Sequence, residues 1–181
     1  MNPISYWQRL KVAFQYVMPQ IYMTQAAGWL AKQKWGAVTH FVIKAFAKKY
    51  NIDMSIAEKE KFSDYASFNE FFIRPLKENA RPINQNPTAL CCPADGRVSE
   101  CGHIEDDRLL QAKGHFFSLN DLLAEDKDLT ETFKNGEFIT TYLSPRDYHR
   151  VHMPCDGTLR KMIYVPGDLF SVNPFLAKHV P

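Results

Sequence analysis

The side chains best suited to chemistry lie together in segment 144–154. Its sequence, Ser-Pro-Arg-Asp-Tyr-His-Arg-Val-His-Met-Pro, places two histidines, two arginines, an aspartate and a tyrosine between two prolines. Histidine is the side chain whose unperturbed pKa lies nearest neutral pH, and prolines restrict the backbone around it. A histidine pair in such a segment favours proton transfer, so His149 and His152 are candidate acid–base residues.

A carboxylate candidate, Asp95, lies in the sequence Pro-Ala-Asp-Gly-Arg at positions 93–97. An Asp-Gly pair predicts a tight turn, and such a turn often has no role beyond structure. The spacing alone leaves two interpretations open. Either the Asp-Gly pair is only a turn, or Asp95 pairs with His152 to activate a nucleophile that the spacing does not identify. Likewise, Lys113-Gly114-His115 either binds an anion or ends a strand.

Cysteine and metal chemistry are the alternatives at the same place. Cys155 follows His152 closely, which leaves open a His/Cys-dependent hydrolase that also uses His149. The sequence has no second ligand pair at the spacing of structural zinc sites, so we predict no metal. Its four cysteines show no secreted-domain framework and no signal peptide precedes them, which favours a reducing, cytoplasmic-facing setting.

Charge divides the chain into two chemically different regions. Residues 1–50 contain seven lysines and arginines and no aspartate or glutamate, whereas the other 131 residues carry 15 basic and 20 acidic side chains. No apolar run reaches the roughly 18 residues needed to span a bilayer. The basic residues are diluted by apolar ones rather than clustered, so we predict no nucleic-acid partner.

Three helices are predicted in the basic region, at 4–17, 20–34 and 36–50. One face of the first helix carries four apolar side chains, those of Trp7, Leu10, Phe14 and Val17. Apolar faces accompanied by lysines suit helices that lie on an anionic membrane surface. Packing of the same faces on the rest of the protein is the alternative, and the sequence leaves both open.

Short strands and turns dominate the second region. Ser67 and Glu70 have capping-box spacing for a helix that Pro75 ends. Further elements are predicted downstream: strands at 89–93, 97–103, 108–112, 137–143, 150–154 and 158–165, and a short helix at 118–125. The predicted fold class is α+β, with N-terminal helices followed by a mostly antiparallel β domain. We divide it into a basic helical, membrane-associating region, 1–60, and an α+β domain, 61–181.

Six motifs occur in an order that resembles a known family. They are Asn69-Glu70-Phe71-Phe72-Ile73-Arg74-Pro75-Leu76, Pro93-Ala94-Asp95-Gly96, Lys113-Gly114, Phe117-Ser118-Leu119, Tyr148-His149-Arg150-Val151-His152-Met153-Pro154 and Gly167-Asp168-Leu169-Phe170-Ser171-Val172-Asn173-Pro174. Together they resemble phosphatidylserine decarboxylase of the bacterial, pyruvoyl-dependent type, and the resemblance runs from the N-terminal helices to the last residue. It implies that 61–181 is the catalytic domain.

The resemblance implies that the chain is part of a proenzyme. The mature enzyme of this family converts phosphatidylserine to phosphatidylethanolamine and carbon dioxide. Members of the family cut their own backbone before the serine of a Leu-Gly-Ser-Thr motif, and that serine becomes a pyruvoyl group on a small α chain. By this resemblance, Asp95 and His152 form a charge relay with that serine, and His149 contacts the substrate carboxylate or helps proton transfer. The pyruvoyl carbonyl forms a Schiff base with the substrate amine and acts as an electron sink.

The sequence departs from the family pattern in one respect. It contains no Leu-Gly-Ser-Thr, and Ser118, Ser144 and Ser171 do not stand in that motif. We therefore expect a chain that is incomplete at its C-terminus, lacks the serine that forms the pyruvoyl cofactor, and is inactive without its α-chain partner. The other expected partners are phosphatidylserine and an anionic membrane surface.

The expected location is the cytoplasmic side of the cell membrane, as a peripheral protein, and a homodimer is left open. A non-catalytic membrane-surface binding module is the main alternative function. It would keep the basic helices without the chemistry.

Overall fold

The computed structural model describes residues 5–105, 108–110 and 116–167. Three helices open the described chain: α1 (Tyr6–Val17), α2 (Gln20–Ala31) and α3 (Ala37–Tyr50). They confirm the three predicted helices, although α2 ends at Ala31 rather than at residue 34. Gly36 precedes α3 with a φ of 55°, a left-handed conformation that favours glycine, so the turn between α2 and α3 depends on this residue.

Contacts divide the chain into two compact units. The first unit comprises Ala27–Val98 and Thr141–Lys161. The second unit contains the described residues of the rest of the chain, including those between Ser99 and Thr140. The predicted division of the chain at residue 60 stays a prediction.

The core of the first unit forms where α3 meets a group of aromatic residues. Ile43 and Ala47, which lie one turn apart on α3, are buried against Tyr65 and Phe71. Tyr65 is fully buried, and its hydroxyl donates a 2.6 Å hydrogen bond to the backbone carbonyl of Lys59, so this buried polar group is satisfied. Half-buried side chains surround the core: Phe46, Ile52, Met54, Phe62 and Phe68.

A short helix, α4 (Phe68–Phe72), carries Phe71 into this core. Ser67 caps the helix, because its Oγ accepts a 3.1 Å hydrogen bond from the backbone N–H of Glu70. The Glu70 carboxylate accepts a 2.9 Å hydrogen bond from the N–H of Ala66, one residue before the position that a capping box expects. The predicted start of this helix is therefore confirmed.

The remaining elements follow in chain order: β1 (Arg97–His103), β2 (Arg108–Leu110), β3 (Phe116–Ser118), α5 (Leu119–Leu122), α6 (Lys127–Phe133) and β4 (Glu137–Tyr142). β2 and β3 pair antiparallel. β1 pairs with β4, and the contacts of Ser99 with Thr140 and of His103 with Glu137 mean that these strands also run antiparallel. The α+β fold class is confirmed, and the four described strands form two small sheets.

The second unit has its own small core. Ile104 and Leu119 are buried, and Leu123 and Phe138 pack against them. The helix predicted at 118–125 is confirmed as α5, which begins after Ser118.

Helix α6 was not predicted from the sequence. Asp126 caps it, since its Oδ1 accepts a 3.2 Å hydrogen bond from the N–H of Leu129. This cap residue was the one local signal for the helix. The helix has only seven residues, two of them acidic, so its sequence shows no clear helical periodicity of apolar residues.

Three of the predicted strands are absent from the described chain: 89–93, 150–154 and 158–165. The first two segments run side by side, but prolines limit their pairing. The N–H of Cys91 donates to the carbonyl of Pro154, and the N–H of His152 donates to the carbonyl of Pro93, each at 2.8 Å. In an antiparallel pair each of these bonds would have a reciprocal one, whose donor here would be a proline nitrogen without a hydrogen. A regular ladder therefore cannot form.

The third segment, 158–165, has the composition of a strand but does not pair with any described strand. Its apolar side chains are exposed, among them those of Leu159, Met162 and Tyr164. Strand propensity largely reflects packing against neighbouring strands, and the described chain supplies no such neighbour to this segment.

Replacing the cap residue of α4 should destabilise the first unit. Ser67→Ala removes the acceptor for the N–H of Glu70, and loss of such a cap costs about 1 kcal/mol in urea unfolding. Ser63→Ala is the matched control because Ser63 is exposed and its hydroxyl contacts the neighbouring Asp64. The control should change the unfolding free energy by less than about 0.5 kcal/mol. Equal effects of the two substitutions would contradict the capping role.

Candidate active site

Backbone hydrogen bonds bring the candidate residues to neighbouring segments of the first unit. The bonds from Cys91 to Pro154 and from His152 to Pro93 hold residues 91–93 beside residues 152–154. Asp95 lies just beyond the first of these segments, and His152 lies within the second. The fold therefore brings two distant parts of the sequence to one place.

Asp95 forms a salt bridge with Arg81. The Nε of Arg81 donates to Asp95 Oδ1 at 2.8 Å and to Oδ2 at 3.0 Å, and Nη2 also contacts Oδ2. The hydrogen bond from Arg81 to Asp95 raises the pKa of Arg81. Because the guanidinium presents a fork of N–H groups to both carboxylate oxygens, the pair fixes the orientation of the Asp95 side chain.

The glycine after Asp95 meets a need of the backbone. Gly96 has a φ of 155°, and a Cβ at this position would collide with the carbonyl oxygen of Tyr142. Glycine is therefore required at this position by the close approach of the Tyr142 backbone. A role of the Asp-Gly pair beyond structure stays a prediction.

His152 contacts Tyr148 within the same motif. The tyrosine hydroxyl and the Nε2 of His152 lie 3.0 Å apart, and the two rings stack with centroids 5.5 Å apart. The tautomer of the imidazole decides which of the two groups donates. Asp95 and His152 therefore each have another partner in this structure, and their pairing in a charge relay stays a prediction.

His149 lies in a less polar environment than His152. Its ring stacks on Phe72 with centroids 4.1 Å apart, and within the described chain its buried Nε2 has no hydrogen-bond partner. Burial, and secondly the charge of Arg74, lower the pKa of His149, while Asp147 opposes the shift. This environment favours the neutral form of the imidazole.

A hydrogen-bonded turn sets the direction of this motif. The Oδ2 of Asp147 accepts hydrogen bonds from the backbone N–H of Ser144 at 2.6 Å and from its hydroxyl at 2.7 Å. The N–H of Asp147 donates back to the carbonyl of Ser144 at 2.9 Å. Asp147 thus orders the backbone that leads to His149, a role that the residue types alone do not reveal.

Arg74 is a functional candidate that the sequence reasoning missed. It lies two residues after the end of α4 and is only 2% exposed. Nη2 donates to the carbonyl of Arg146 at 3.2 Å, whereas Nε and Nη1 have no hydrogen-bond partner within the described residues. Burial lowers the pKa of Arg74 from its usual high value. The available signal was a lone cation after the apolar sequence Phe71-Phe72-Ile73.

The remaining sequence candidates do not assemble in the described chain. Among the residues that the structure describes, no three His, Cys, Asp or Glu side chains cluster in the way a metal site requires. Cys155 is exposed, and the imidazole of His152 contacts Tyr148. The sequence Lys113-Gly114-His115 and residues 168–174 lie outside the described residues.

Comparison with known proteins identifies the family. A family model described as phosphatidylserine decarboxylase matches residues 68–180, and a second, described as PSD, matches residues 10–51. The phosphatidylserine decarboxylase proenzyme of Haemophilus influenzae is 88% identical over 181 residues, which is 100% of this chain and 62% of the relative. That of Pasteurella multocida is 80% identical over 178 residues, 98% of this chain and 60% of the relative.

The chain belongs to the phosphatidylserine decarboxylase family, and the resemblance seen in its motifs is confirmed. It spans about three-fifths of the length of the curated relatives that it matches.

The buried position of His149 predicts a stability that depends on pH. The pKa of His149 is lower in the folded chain than in the unfolded chain. At a pH just below the usual histidine pKa, the unfolded chain therefore binds more protons than the folded chain. The contribution of the neutral imidazole to the free energy of unfolding is therefore fully present above a pH of about 6.5. It is lost as the pH falls through the lower pKa of the folded state. In His149→Gln, the loss of unfolding free energy between neutral and mildly acidic pH should be smaller than in the parent.

An NMR titration checks the same point directly. The imidazole signal of His149, assigned by its disappearance in His149→Gln, should titrate below the usual histidine range. A midpoint above that range would contradict the assigned environment.

Proposed function

We propose that this chain acts in the decarboxylation of phosphatidylserine to phosphatidylethanolamine and carbon dioxide. The observation that carries the proposal is the pairing of segments 91–93 and 152–154, which brings the Asp95 and His152 motifs to one place in the first unit. The names and identities of the relatives support the same reaction. The alternative of a His/Cys-dependent hydrolase gains no comparable support, because Cys155 is exposed and His152 contacts Tyr148.

The residues present fit a pyruvoyl cofactor. When bound, this group supplies an electrophilic carbonyl that withdraws electrons from the carbon losing carbon dioxide. A small carbonyl group of this kind needs a nearby hydrogen-bonding atom that is not already engaged. The buried Nε2 of His149, without a partner in the described chain, would meet that need in the tautomer that carries the hydrogen on Nε2. The serine that would form the cofactor belongs to the α-chain partner of the proposal.

In the proposed self-cleavage, His152 removes the hydroxyl proton of the cleavage serine, and Asp95 holds the imidazole in the correct tautomer. The Arg81–Asp95 salt bridge is compatible with this role. A carboxylate offers about four lone-pair positions, so Asp95 can accept from an imidazole while it remains bound to Arg81. In this structure the Tyr148 hydroxyl contacts the Nε2 of His152. Nε2 must therefore leave this contact to take the serine proton while Nδ1 faces Asp95.

His149 acts on the substrate in this proposal. The stack on Phe72 gives the imidazole a low-polarity wall, and loss of carbon dioxide converts a charged carboxylate into a neutral molecule. Such a change is easier where water is excluded, because water stabilises the charged group. Decarboxylation consumes one proton, so the His149 imidazole would take up a proton from solvent, deliver it to the carbon that lost the carboxylate and return to its neutral form.

We further propose that the N-terminal helices bind an anionic membrane surface at the cytoplasmic side of the cell membrane. The apolar face of α1 is exposed, with Trp7 at 73%, Phe14 at 57% and Val17 at 83%. α2, all of whose residues are described, buries none of its side chains. Among the described residues, no helix is long and apolar enough to cross a bilayer. Exposed aromatic side chains on helices of a region with seven basic and no acidic residues suit a peripheral contact with lipid headgroups.

These exposed helices also favour a second candidate function, a membrane-binding module without catalysis. Both candidates bind vesicles, and turnover separates them.

Turnover tests the catalytic proposal. The 181-residue chain alone should release no carbon dioxide from carboxyl-labelled phosphatidylserine, because it contains no Leu-Gly-Ser-Thr. Extended in frame with the C-terminal segment of the Haemophilus influenzae relative, it should cleave itself and release the label. Asp95→Asn and His152→Gln should block cleavage. His149→Gln should still cleave but lose decarboxylation by about a hundredfold to ten-thousandfold.

Cys155→Ala is the matched control in the same assay and should retain both cleavage and turnover. Loss of both in this variant would favour the hydrolase alternative. Cleavage and vesicle binding without any turnover in the parent would favour the non-catalytic module. Turnover by the unextended chain would contradict the stated need for the α-chain segment.

Vesicle flotation tests the membrane proposal. Trp7→Ser combined with Phe14→Ser should weaken binding to vesicles containing phosphatidylserine by at least about tenfold, since each buried aromatic side chain contributes about 1.5–3 kcal/mol. Binding should also fall as the salt concentration rises. The control is Leu159→Ser combined with Tyr164→Ser, which removes exposed apolar side chains outside the helices. Equal losses in the two double variants, or equal binding to neutral vesicles, would contradict the proposal.

A further inference from the structure

Arg74 carries a buried charge with unused hydrogen-bonding capacity. Its side chain is 2% exposed, and within the described residues its Nε and Nη1 have no partner. The carboxylates that act on it electrostatically are committed elsewhere: Asp147 binds the backbone and hydroxyl of Ser144, and Asp95 binds Arg81. A buried guanidinium without an ion partner is costly to maintain, so such an arrangement indicates a ligand that supplies the missing negative charge.

A second unpartnered group lies close to Arg74. The buried Nε2 of His149 has no partner in the described chain, and the guanidinium is near enough to lower the pKa of this histidine. Aromatic rings border both groups, because Arg74 lies over the ring of Phe71 and His149 stacks on Phe72. The region therefore combines a cationic subsite with a neighbouring neutral one.

The two subsites match the two anionic groups of the proposed substrate. Phosphatidylserine carries a carboxylate, which leaves, and a phosphodiester, which is unchanged by the reaction. A guanidinium bound to the carboxylate would stabilise the charge that the reaction must remove, and so would raise the barrier. The same guanidinium on the phosphodiester stabilises the ground state and the transition state equally, and serves to position the headgroup.

We propose that Arg74 is the phosphodiester-binding residue of this site, and that it holds the headgroup so that the carboxylate faces His149 and Phe72. This assignment rests on the proposed function. Arginine suits the role because its planar array of N–H donors matches phosphate oxygens better than a lysine ammonium does. The N–H groups on Nε and Nη1 are the ones available for the purpose.

Soluble headgroups test the assignment on the 181-residue chain without any turnover. Glycerophosphoserine and glycerophosphoethanolamine should both shift the NMR signal of the Arg74 Nε–H, because both contain the phosphodiester. Serine, which has the carboxylate alone, should bind at least about tenfold more weakly. Serine binding as tightly as glycerophosphoserine would overturn the assignment, and so would inorganic phosphate binding as tightly as the diesters.

Substitutions extend the test. Arg74→Lys keeps the charge but loses the planar donor array, and should weaken glycerophosphoethanolamine binding by at least about tenfold. Arg160→Gln is the matched control, because it removes an exposed guanidinium from the same unit and should change binding by less than about twofold. Unchanged binding in Arg74→Lys would overturn the proposal. The comparison of headgroups on the parent chain does not depend on whether a variant folds.

Kinetics of the extended chain separate this proposal from the proposed function. Arg74→Lys should raise KM for phosphatidylserine by at least about tenfold while kcat changes by less than about threefold, the signature of uniform binding. Normal KM in this variant would overturn the role of Arg74 and leave the decarboxylase function intact. Absence of turnover in the parent would count against the function, and the headgroup titration would still decide the role of Arg74.

Discussion

Two backbone hydrogen bonds, from Cys91 to Pro154 and from His152 to Pro93, are the constraint on which the candidate site depends. They connect parts of the chain that are far apart in sequence. Neither bond has a reciprocal partner, because the residue that would donate it is a proline. The two segments are therefore held in a defined register without becoming a sheet. Asp95 lies two residues beyond Pro93, and its carboxylate there binds Arg81.

The site contains two electrostatic environments that suit different tasks. Asp95 and His152 lie near the surface, where Arg81 and Tyr148 satisfy them. Arg74 and His149 lie deeper, with polar atoms that have no partner in the described chain. Surface groups with satisfied partners can exchange them at little cost, which suits the proposed self-cleavage relay. Buried groups with unused capacity gain most from a ligand, which suits repeated substrate binding.

Much of this arrangement could be predicted from the sequence, and the reasons for the exceptions are physical. Helical periodicity and cap residues identified α1 to α4, because those signals are local. Family motifs identified Asp95, His149 and His152 as site residues, and their roles stay predictions. The contacts of Arg81 and Arg74 were not predictable, since each joins residues that no sequence spacing links. Strand composition misled at 89–93 and 150–154, where two prolines remove donors that a ladder requires.

The pairing of β1 with β4 has a topological consequence for the chain. These strands are the points where the chain leaves for residues 99–140 and returns, and the hydroxyl of Ser99 donates to the carbonyl of Thr140 at 3.2 Å. This strand pair thus holds together the two ends of the intervening stretch. Loop-closure entropy rises only slowly with length, and here the closure is made by the strand pair itself. The intervening stretch can therefore change in length over evolution while the separation between its two ends stays constant.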